Sequence, residues 1–304
     1  MTTTETTGTA VRAPARVLGG GKPRVQGQAN WLVKAVILVM CVLWMVPVLG
    51  LLVTSFRNQD AVNSSGWWTV IANPLKFTQW TVANYSQAWT GSRMGSAFVN
   101  SFAVTLPSVI IPIMIAAFAA YAFTFLEFRG RDWLFVGIVA LLVIPNQVAL
   151  VPLLQIYGNI GLTGTFPAVW LAHAGFGMPL AIYILRNYMS SLPKAIVESA
   201  KVDGASHFKI FWRLIVPMST PALASFAIFQ FLWVWNDLLV ALLFLGQGEN
   251  QVLTVALVGL LGGQGQGWQL LTAGGIITIV VPLIVFVSLQ RFFVRGMTSG
   301  AVKG

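Results

Sequence analysis

The chain has 304 residues, of which 57% are hydrophobic and 9% charged, and its formal net charge is +10. Soluble domains carry about 25% charged residues, so this composition excludes an ordinary soluble fold and predicts an integral membrane protein. The 18 lysines and arginines are dispersed among apolar runs and form no basic face, which argues against nucleic-acid binding. A single cysteine, Cys41, excludes an internal disulfide and is expected to be a small buried hydrophobe.

The N-terminal third is predicted to be a tail, one membrane span and an external segment. Residues 1–30 are rich in Thr, Gly, Ala and Arg, which predicts a disordered basic tail. The uncharged run 35–56 is long enough for one span and, with no cleavage site after it, is not a signal peptide. Residues 57–93 are polar and contain four tryptophans, which suit a segment lying along the membrane–water interface.

The middle of the chain is predicted to hold three spans. Residues 94–126 are uncharged and form the second span, and 127–132 make a short polar turn. The run 133–185 contains no Asp, Glu, Lys or Arg and is too long for one span. Turn-forming residues at 158–167 divide it, so it is expected to be two spans joined by a short loop.

Two more spans complete an all-α fold of six transmembrane helices. The fifth begins at Leu214 and is expected to continue past Asp237. Residues 251–267 are an external loop whose apolar part can touch the membrane surface, and 268–290 form the sixth span. The predicted organisation is a tail (1–30), a first helix with its external segment (31–93), a core of five spans (94–291) and a C-terminal tail (292–304).

The distribution of basic residues predicts the orientation in the membrane. With both termini in the cytoplasm, 15 of the 18 bases lie on the inner side, and only Arg57, Lys76 and Arg93 lie outside. Cytoplasmic loops carry the excess of lysine and arginine, so the reversed orientation is disfavoured. The polar segment 189–217, between spans four and five, is therefore expected to be cytoplasmic.

This segment has the pattern of a helical hairpin. Ser190 or Ser191 can cap a first short helix, with Pro193 in its first turn. Gly204 suits the left-handed residue that ends a helix, and Ser206 can cap a second helix that Pro217 ends. The small residues Ser199 and Ala200 allow close approach of a partner, and Glu198 offers a carboxylate to a partner's arginine. The alternative is a solvated loop with an interfacial amphipathic helix.

The same residues carry a resemblance to a known family. Glu198-Ser199-Ala200, three residues, Gly204, nine residues, Leu214, Ile215 and Val216-Pro217 resemble the cytoplasmic signature of permease subunits in binding-protein-dependent ABC importers. Ser199 and Val216 depart from its Ala and Leu. With the six spans, the "WNDLL" of span five and the ending "GAVKG", residues 31–304 resemble the six-span permease subunit, the G-type subunit, of maltose-type carbohydrate importers.

The resemblance implies a fold, partners and a role. The fold is that of a type I ABC importer permease in the bacterial inner membrane. Glu198, Ser199, Ala200, Asp203, Gly204 and Pro217 would dock in a groove of a separate cytoplasmic ATPase. Two permease chains, usually unlike, would pair with two ATPase subunits, and an extracellular sugar-binding protein would deliver the substrate. The loop after span five would reach into that binding protein, and the C-terminal tail would insert between the ATPases.

The chain itself is expected to catalyse no covalent chemistry. The stretch "GGGKP" (19–23) lacks the hydroxyl that a phosphate-binding loop needs after its lysine, so ATP and Mg²⁺ are assigned to the partner ATPase and no cofactor to this chain. The substrate is expected to be a sugar or oligosaccharide, the alternative being a glycerol phosphate or polyol.

Asp237 is the only acid within a predicted span. A charge at the bilayer centre costs about 2.5–3.5 kcal/mol, so such residues face a cavity or a partner. With Trp233, Trp235 and Asn236 it resembles a sugar site and forms a candidate sugar pathway; alternatively it lies near the outer interface or forms a structural contact between subunits. His173 is expected to hydrogen-bond between helices, and His207 to be solvated at a helix start; neither has metal-ligand neighbours in sequence.

The sequence gives less support to two other functions. An intramembrane hydrolase would need a nucleophile in a water-filled membrane cavity, whereas Ser206 and His207 fall in the polar segment. An ion-coupled carrier would show paired helix interruptions and several buried ionisable groups, and one buried acid is little support for it.

Overall fold

The computed structural model describes residues 31–91, 93–260 and 267–301. The basic tail predicted for 1–30, residues 261–266 of the external loop and the last three residues lie outside these ranges. Within them the chain is helical and has no β-strand, only one isolated bridge between Arg57 and Trp80. The α-helices in chain order are α1 (Trp31–Ser55), α2 (Gln59–Ser64), α3 (Thr69–Ala72), α4 (Ala83–Ser86), α5 (Met94–Phe125), α6 (Arg131–Ala140), α7 (Asn146–Asn159), α8 (Phe166–Ser190), α9 (Lys194–Val202), α10 (His207–Ile210), α11 (Val216–Met218), α12 (Thr220–Trp235), α13 (Leu239–Phe244), α14 (Leu253–Val258) and α15 (Trp268–Ala301).

The long helices agree with the predicted membrane spans. Four helices, α1, α5, α8 and α15, are long and apolar enough to cross a membrane, and two bent helix pairs bring the number to six if each pair is one span. The all-α membrane fold is therefore confirmed. The predicted sixth span, 268–290, agrees with the apolar part of α15, and the helix itself runs on to Ala301. Cys41, expected to be buried, is exposed on α1.

The third span is bent, which the uncharged sequence did not predict. Residues Arg131–Val143 and Asn146–Asn159 meet at an angle of 97°. The break lies at Ile144 and Pro145, both with extended backbone. Proline disfavours a helical conformation in the residue before it, so the chain turns there and starts a new helix at Asn146.

The fifth span differs from its prediction at both ends. The helix enters through a bend of 72° at Ser219, between His207–Met218 and Thr220–Trp235. It stops at Trp235 instead of continuing past Asp237. The Asp237 carboxylate accepts a hydrogen bond from the backbone N–H of Ala241, 3.0 Å away, in the first turn of the separate short helix α13. Local side-chain bonds of this kind compete with helix continuation.

The described part of the loop after span five, residues 251–260, packs against the protein, whereas its apolar stretch was expected to touch the membrane surface. Val252, Leu253, Val255 and Ala256 are buried, and α14 packs against α5 and α15. Two polar residues of α5 fasten it: Ser101 Oγ accepts the N–H of Leu253 at 2.9 Å, and the side-chain amide of Asn100 donates to nearby carbonyls. These four apolar residues are thus covered by the protein's own helices, whereas Val258 is 45% exposed.

The segment between α1 and α5 is held together by a buried arginine. Arg57 is 1% exposed, and its guanidinium donates to the carbonyls of Ala61 and Ser65 and to the Ser65 hydroxyl. Burial lowers the pKa of Arg57, although a guanidinium still remains charged at neutral pH. Asn84 also stabilises this segment, because its side-chain amide donates to the carbonyls of Ser55 and Arg57.

Candidate functional site

We call residues 191–219 the polar hairpin; its first helix is α9. Pro193 is the cap residue, with φ −62° and ψ 120°, and no side chain caps the helix. The predicted serine cap is wrong, because Ser190 still belongs to α8 and the Ser191 hydroxyl donates back to the carbonyl of Tyr188 at 2.7 Å. Proline supplies the extended backbone in its place.

The turn of the polar hairpin has the geometry predicted for Gly204. Its φ is +76°, a left-handed conformation that residues with a Cβ rarely adopt. The N–H of Ala205 bonds the carbonyl of Ala200 at 2.9 Å, and that of Gly204 bonds Lys201 at 3.0 Å. A Cβ at Gly204 would meet no atom within 4 Å, so the constraint is the backbone conformation and not space.

The second half of the polar hairpin is capped as predicted but ends later. Ser206 Oγ accepts the N–H of Lys209 at 3.4 Å. After α10 the chain passes through a π-helical stretch, Phe211–Ile215, into α11. Pro217 does not end the helix, contrary to expectation; it sits in the first turn of α11, where no N–H donor is required. The break comes at Ser219.

The outer face of the polar hairpin is open for contact. Glu198, Ser199, Asp203 and Gly204 are exposed, and Ala200 is half-buried. Within the described part of the chain, Glu198 forms no ion pair. Two large apolar side chains, Val202 at 88% and Phe208 at 68% exposure, stand out beside these residues. The polar hairpin thus presents a carboxylate, small residues and exposed apolar side chains together, a combination that suits binding to another protein.

The inner face of the polar hairpin packs into the helical core. Ile210, Phe211 and Ile215 are at most 2% exposed, and Val197 is 4% exposed. They belong to one apolar cluster that includes residues of α5, α8 and α12. The polar hairpin is therefore a docked structural element with one apolar face, not a solvated loop.

A hydrogen bond links the polar hairpin to span two. The Tyr121 hydroxyl and Nδ1 of His207 are 2.8 Å apart. His207 was expected to be a solvated helix-start residue; its residue surface is exposed, but this ring nitrogen is bonded. The two residues are 86 positions apart, and nothing in the sequence pairs them. Among the described residues the Ser206 hydroxyl bonds the N–H of Lys209 and makes no hydrogen bond to the His207 ring, so the two do not form a nucleophile–base pair.

The four candidate pathway residues lie at the end of α12. Trp235 does not face a pathway: it is 2% exposed, and its indole N–H donates to the carbonyl of Thr278 at 3.1 Å. Asp237 has 12% of its side chain exposed, and its backbone carbonyl accepts a bond of 2.6 Å from the Thr254 hydroxyl. Asn236 is exposed, although its amide donates to the carbonyl of Leu232 at 2.7 Å. Trp233 is half-buried and packs edge-on against His173, with ring centroids 5.6 Å apart.

His173 does not make the helix–helix hydrogen bond expected of it. It is 1% exposed, and among the described residues neither ring nitrogen has a hydrogen-bond partner. The nearest acid is Asp237, whose Oδ2 lies 3.6 Å from Nε2, too far for a hydrogen bond.

Gln230 makes the polar contact between helices beside His173, and nothing in the sequence analysis singled it out. Its fully buried amide donates at 3.3 Å to the carbonyls of Ser108 on α5 and His173 on α8. The signal was available, because Gln230 is the only amide or charge in the helix "TPALASFAIFQFLWVW". Polar side chains in membrane helices commonly bond across helices.

Across residues 31–91, 93–260 and 267–301, no three His, Cys, Asp or Glu side chains are grouped closely enough to hold a metal ion. The chemistry that the site offers is recognition: an open carboxylate on the polar hairpin and amide, acid and indole groups at the end of span five.

The comparisons with known proteins agree on one family of transport proteins. Residues 108–299 match the model for the family described as "Binding-protein-dependent transport system inner membrane component". The osmoprotective compounds uptake permease protein GgtD of Synechocystis sp. is 53% identical over 268 residues, covering 88% of this chain and 90% of that protein. The alpha-glucoside transport system permease protein AglG of Rhizobium meliloti is 40% identical over 93% of this chain and 99% of its own.

A solved structure has the same fold. A chain in the crystal structure of a bacterial ABC transporter involved in import of the acidic polysaccharide alginate matches with a TM-score of 0.71 at 19% identity. The match covers 86% of this chain and 96% of that one.

Proposed function

Because the chain belongs to the family of inner membrane components of binding-protein-dependent transport systems, we propose that it is the permease subunit of an ATP-driven importer for a sugar or oligosaccharide. The observation that carries the substrate class is the 40% identity, over 93% of this chain, to a permease named for alpha-glucoside transport. A second candidate is a small osmoprotective compound, since the relative at 53% identity is named for uptake of such compounds. Glycerol phosphates and polyols are a third.

The polar hairpin would couple this chain to a separate ATPase. Glu198, Ser199, Ala200, Asp203 and Gly204 present the open surface described above, and Pro217 supports its second half. ATP and Mg²⁺ would bind to the partner, and this chain would contribute no catalytic residue. Closure of the ATPases would bias the equilibrium between inward- and outward-open states.

The other partners follow from the family. A second permease chain, an extracellular binding protein and two copies of the ATPase would complete the importer. Both termini of this chain would be cytoplasmic, as the distribution of basic residues indicates. Trp233, Asn236 and Asp237 would line its half of the pathway, where aromatic faces and hydrogen-bonding groups suit a polyhydroxyl substrate.

Uptake by the complete importer in proteoliposomes tests the substrate class. With the loaded binding protein outside and ATP inside, a labelled alpha-glucoside should accumulate, and unlabelled glycerol phosphate should not compete. Uptake of a small osmoprotective compound without uptake of any glucoside would replace the first candidate with the second. Accumulation that needs no ATP would contradict an ATP-driven importer and favour an ion-coupled carrier.

A further inference from the structure

The polar hairpin has two kinds of connection to the membrane core. It is covalently joined to α8 and, through the bend at Ser219, to α12. It also touches α5, which is remote from it in sequence. The contact to α5 is made by His207 and Phe211 on the hairpin and by Phe118 and Tyr121 on α5.

This second connection is built from one hydrogen bond and stacked rings. The ring of Phe211, 2% exposed, lies parallel to that of Phe118 with centroids 4.4 Å apart. The same ring meets Tyr121 edge-on at 5.5 Å. Tyr121 is 5% exposed, so its hydroxyl has little access to water and depends on His207 for a partner.

The Tyr121–His207 hydrogen bond fixes the orientation of the polar hairpin relative to α5, which the ring contacts alone do not. Aromatic packing tolerates sliding, whereas a bond of 2.8 Å between a hydroxyl and a ring nitrogen sets both position and orientation. A hydroxyl can donate or accept, so the bond forms with neutral or protonated imidazole. His207 is the first residue of α10, three positions after the Gly204 turn, and is therefore close to the surface proposed to meet the ATPase.

We propose that Tyr121 and His207 are positioning residues that transmit movement of the polar hairpin to span two. The inference rests on the proposed coupling function and deepens it. Span two then moves with the hairpin directly, and not only through the peptide connections to α8 and α12. Because α5 packs extensively against both α8 and α12, movement at this joint reaches three spans together.

The test measures transport per ATP hydrolysed in the complete, reconstituted importer. Tyr121→Phe removes only the hydroxyl and keeps the ring contacts with Phe211. We expect it to assemble normally and to hydrolyse ATP in response to loaded binding protein, while substrate moved per ATP falls by about two- to tenfold, the change one neutral hydrogen bond makes in an equilibrium. His207→Ala should give the same loss, and the double variant no further loss.

Two variants serve as matched controls. His207→Asn keeps a hydrogen-bonding atom near the position of Nδ1 and should restore most of the ratio. Tyr157→Phe makes the same chemical change on α7. The Tyr157 hydroxyl forms no hydrogen bond among the described residues, so this variant should leave the substrate moved per ATP unchanged.

Three outcomes would overturn the inference. The first is an unchanged ratio in Tyr121→Phe. The second is equal loss of uptake and ATPase activity with fewer assembled complexes, which indicates a purely structural bond. The third is failure of His207→Asn to recover function that His207→Ala loses. Glu198→Arg, measured in parallel, separates this inference from its premise: if that variant couples normally, the proposed coupling function itself fails.

Discussion

At the scale of single residues, two glycines are required for different physical reasons. Gly204 needs a left-handed backbone in open space, whereas Gly177 needs space in an ordinary helix. A Cβ at Gly177 would lie 2.6 Å from the Gln230 side chain, closer than real contacts allow. The sequence indicated the role of Gly204 through its place after a short helix, but the crowding at Gly177 depends on a helix packed against it from elsewhere in the chain.

Gly204→Val should strain the hairpin turn by about 1–2 kcal/mol, the cost of a left-handed residue with a Cβ, and weaken attachment of the ATPase. Co-purification of the ATPase with the permease measures this. Gly130→Val is the matched control, because Gly130 also has a left-handed φ, +83°, with no atom near its Cβ position. Equal loss of ATPase from both variants would show that the effect is general destabilisation.

Gly177→Ala should destabilise the protein by roughly 1–3 kcal/mol, as overpacking does, while Gly175→Ala, with nothing within 4 Å of its Cβ, should be nearly neutral. Gln230→Ala removes the obstructing amide, so the double variant with Gly177→Ala should lose less stability than the sum of the two single changes. Thermal unfolding in detergent measures all four. Strict additivity would show that the two residues are not in contact.

Asp237→Asn separates two roles of one side chain. Asparagine keeps an oxygen that can accept the N–H of Ala241, so the start of α13 should survive while the charge is lost. We expect a changed KM for transport with normal complex assembly, whereas Asp237→Ala should also impair assembly. If transport by Asp237→Asn matches the wild type in KM and kcat, the side chain serves only to bond the first turn of α13.

At the scale of helices, the sequence predicted the existence of elements better than their shape. Uncharged runs of span length predicted all six apolar regions, because lipid requires them. The bend at Pro145 was missed although proline is a local signal for it. The stop at Trp235 and the burial of α14 were missed because the first involves a local bond, Asp237 to Ala241, and the second depends on packing between remote helices. Charge counting cannot distinguish an apolar stretch covered by lipid from one covered by protein.

The candidate site divides in the same way. The Gly204 turn and the Ser206 cap follow local rules and were predicted, whereas Pro217 was misjudged because the π-helical stretch before it begins a new first turn that accepts proline. The Tyr121–His207 bond and the contacts of Gln230 join distant positions, so they needed the structure.

At the scale of the whole molecule, orientation is the property on which the cytoplasmic placement of the polar hairpin depends. Reporter fusions after Gly130 and Ser190 should give cytoplasmic signals, and one after Gly246 an external signal, because the basic residues are concentrated on one side. An external signal at Ser190 would place the polar hairpin on the wrong side for a cytoplasmic ATPase.

The central claim is that the polar hairpin couples this permease to its ATPase through Glu198. The carboxylate is open and without an ion pair in the described chain, and its neighbours leave room for a partner. Reversing its charge should place two like charges at that contact, whereas reversal at the exposed Asp132 in the other polar turn should be tolerated.

The measurement is ATP-dependent uptake by the reconstituted importer carrying Glu198→Arg, with Asp132→Arg as the matched control. We predict that uptake falls by at least about tenfold in Glu198→Arg, since loss of one partner of a desolvated charge pair costs about 2–5 kcal/mol, and that stimulation of ATPase activity by loaded binding protein is lost with it. Normal coupled uptake in Glu198→Arg would contradict the account.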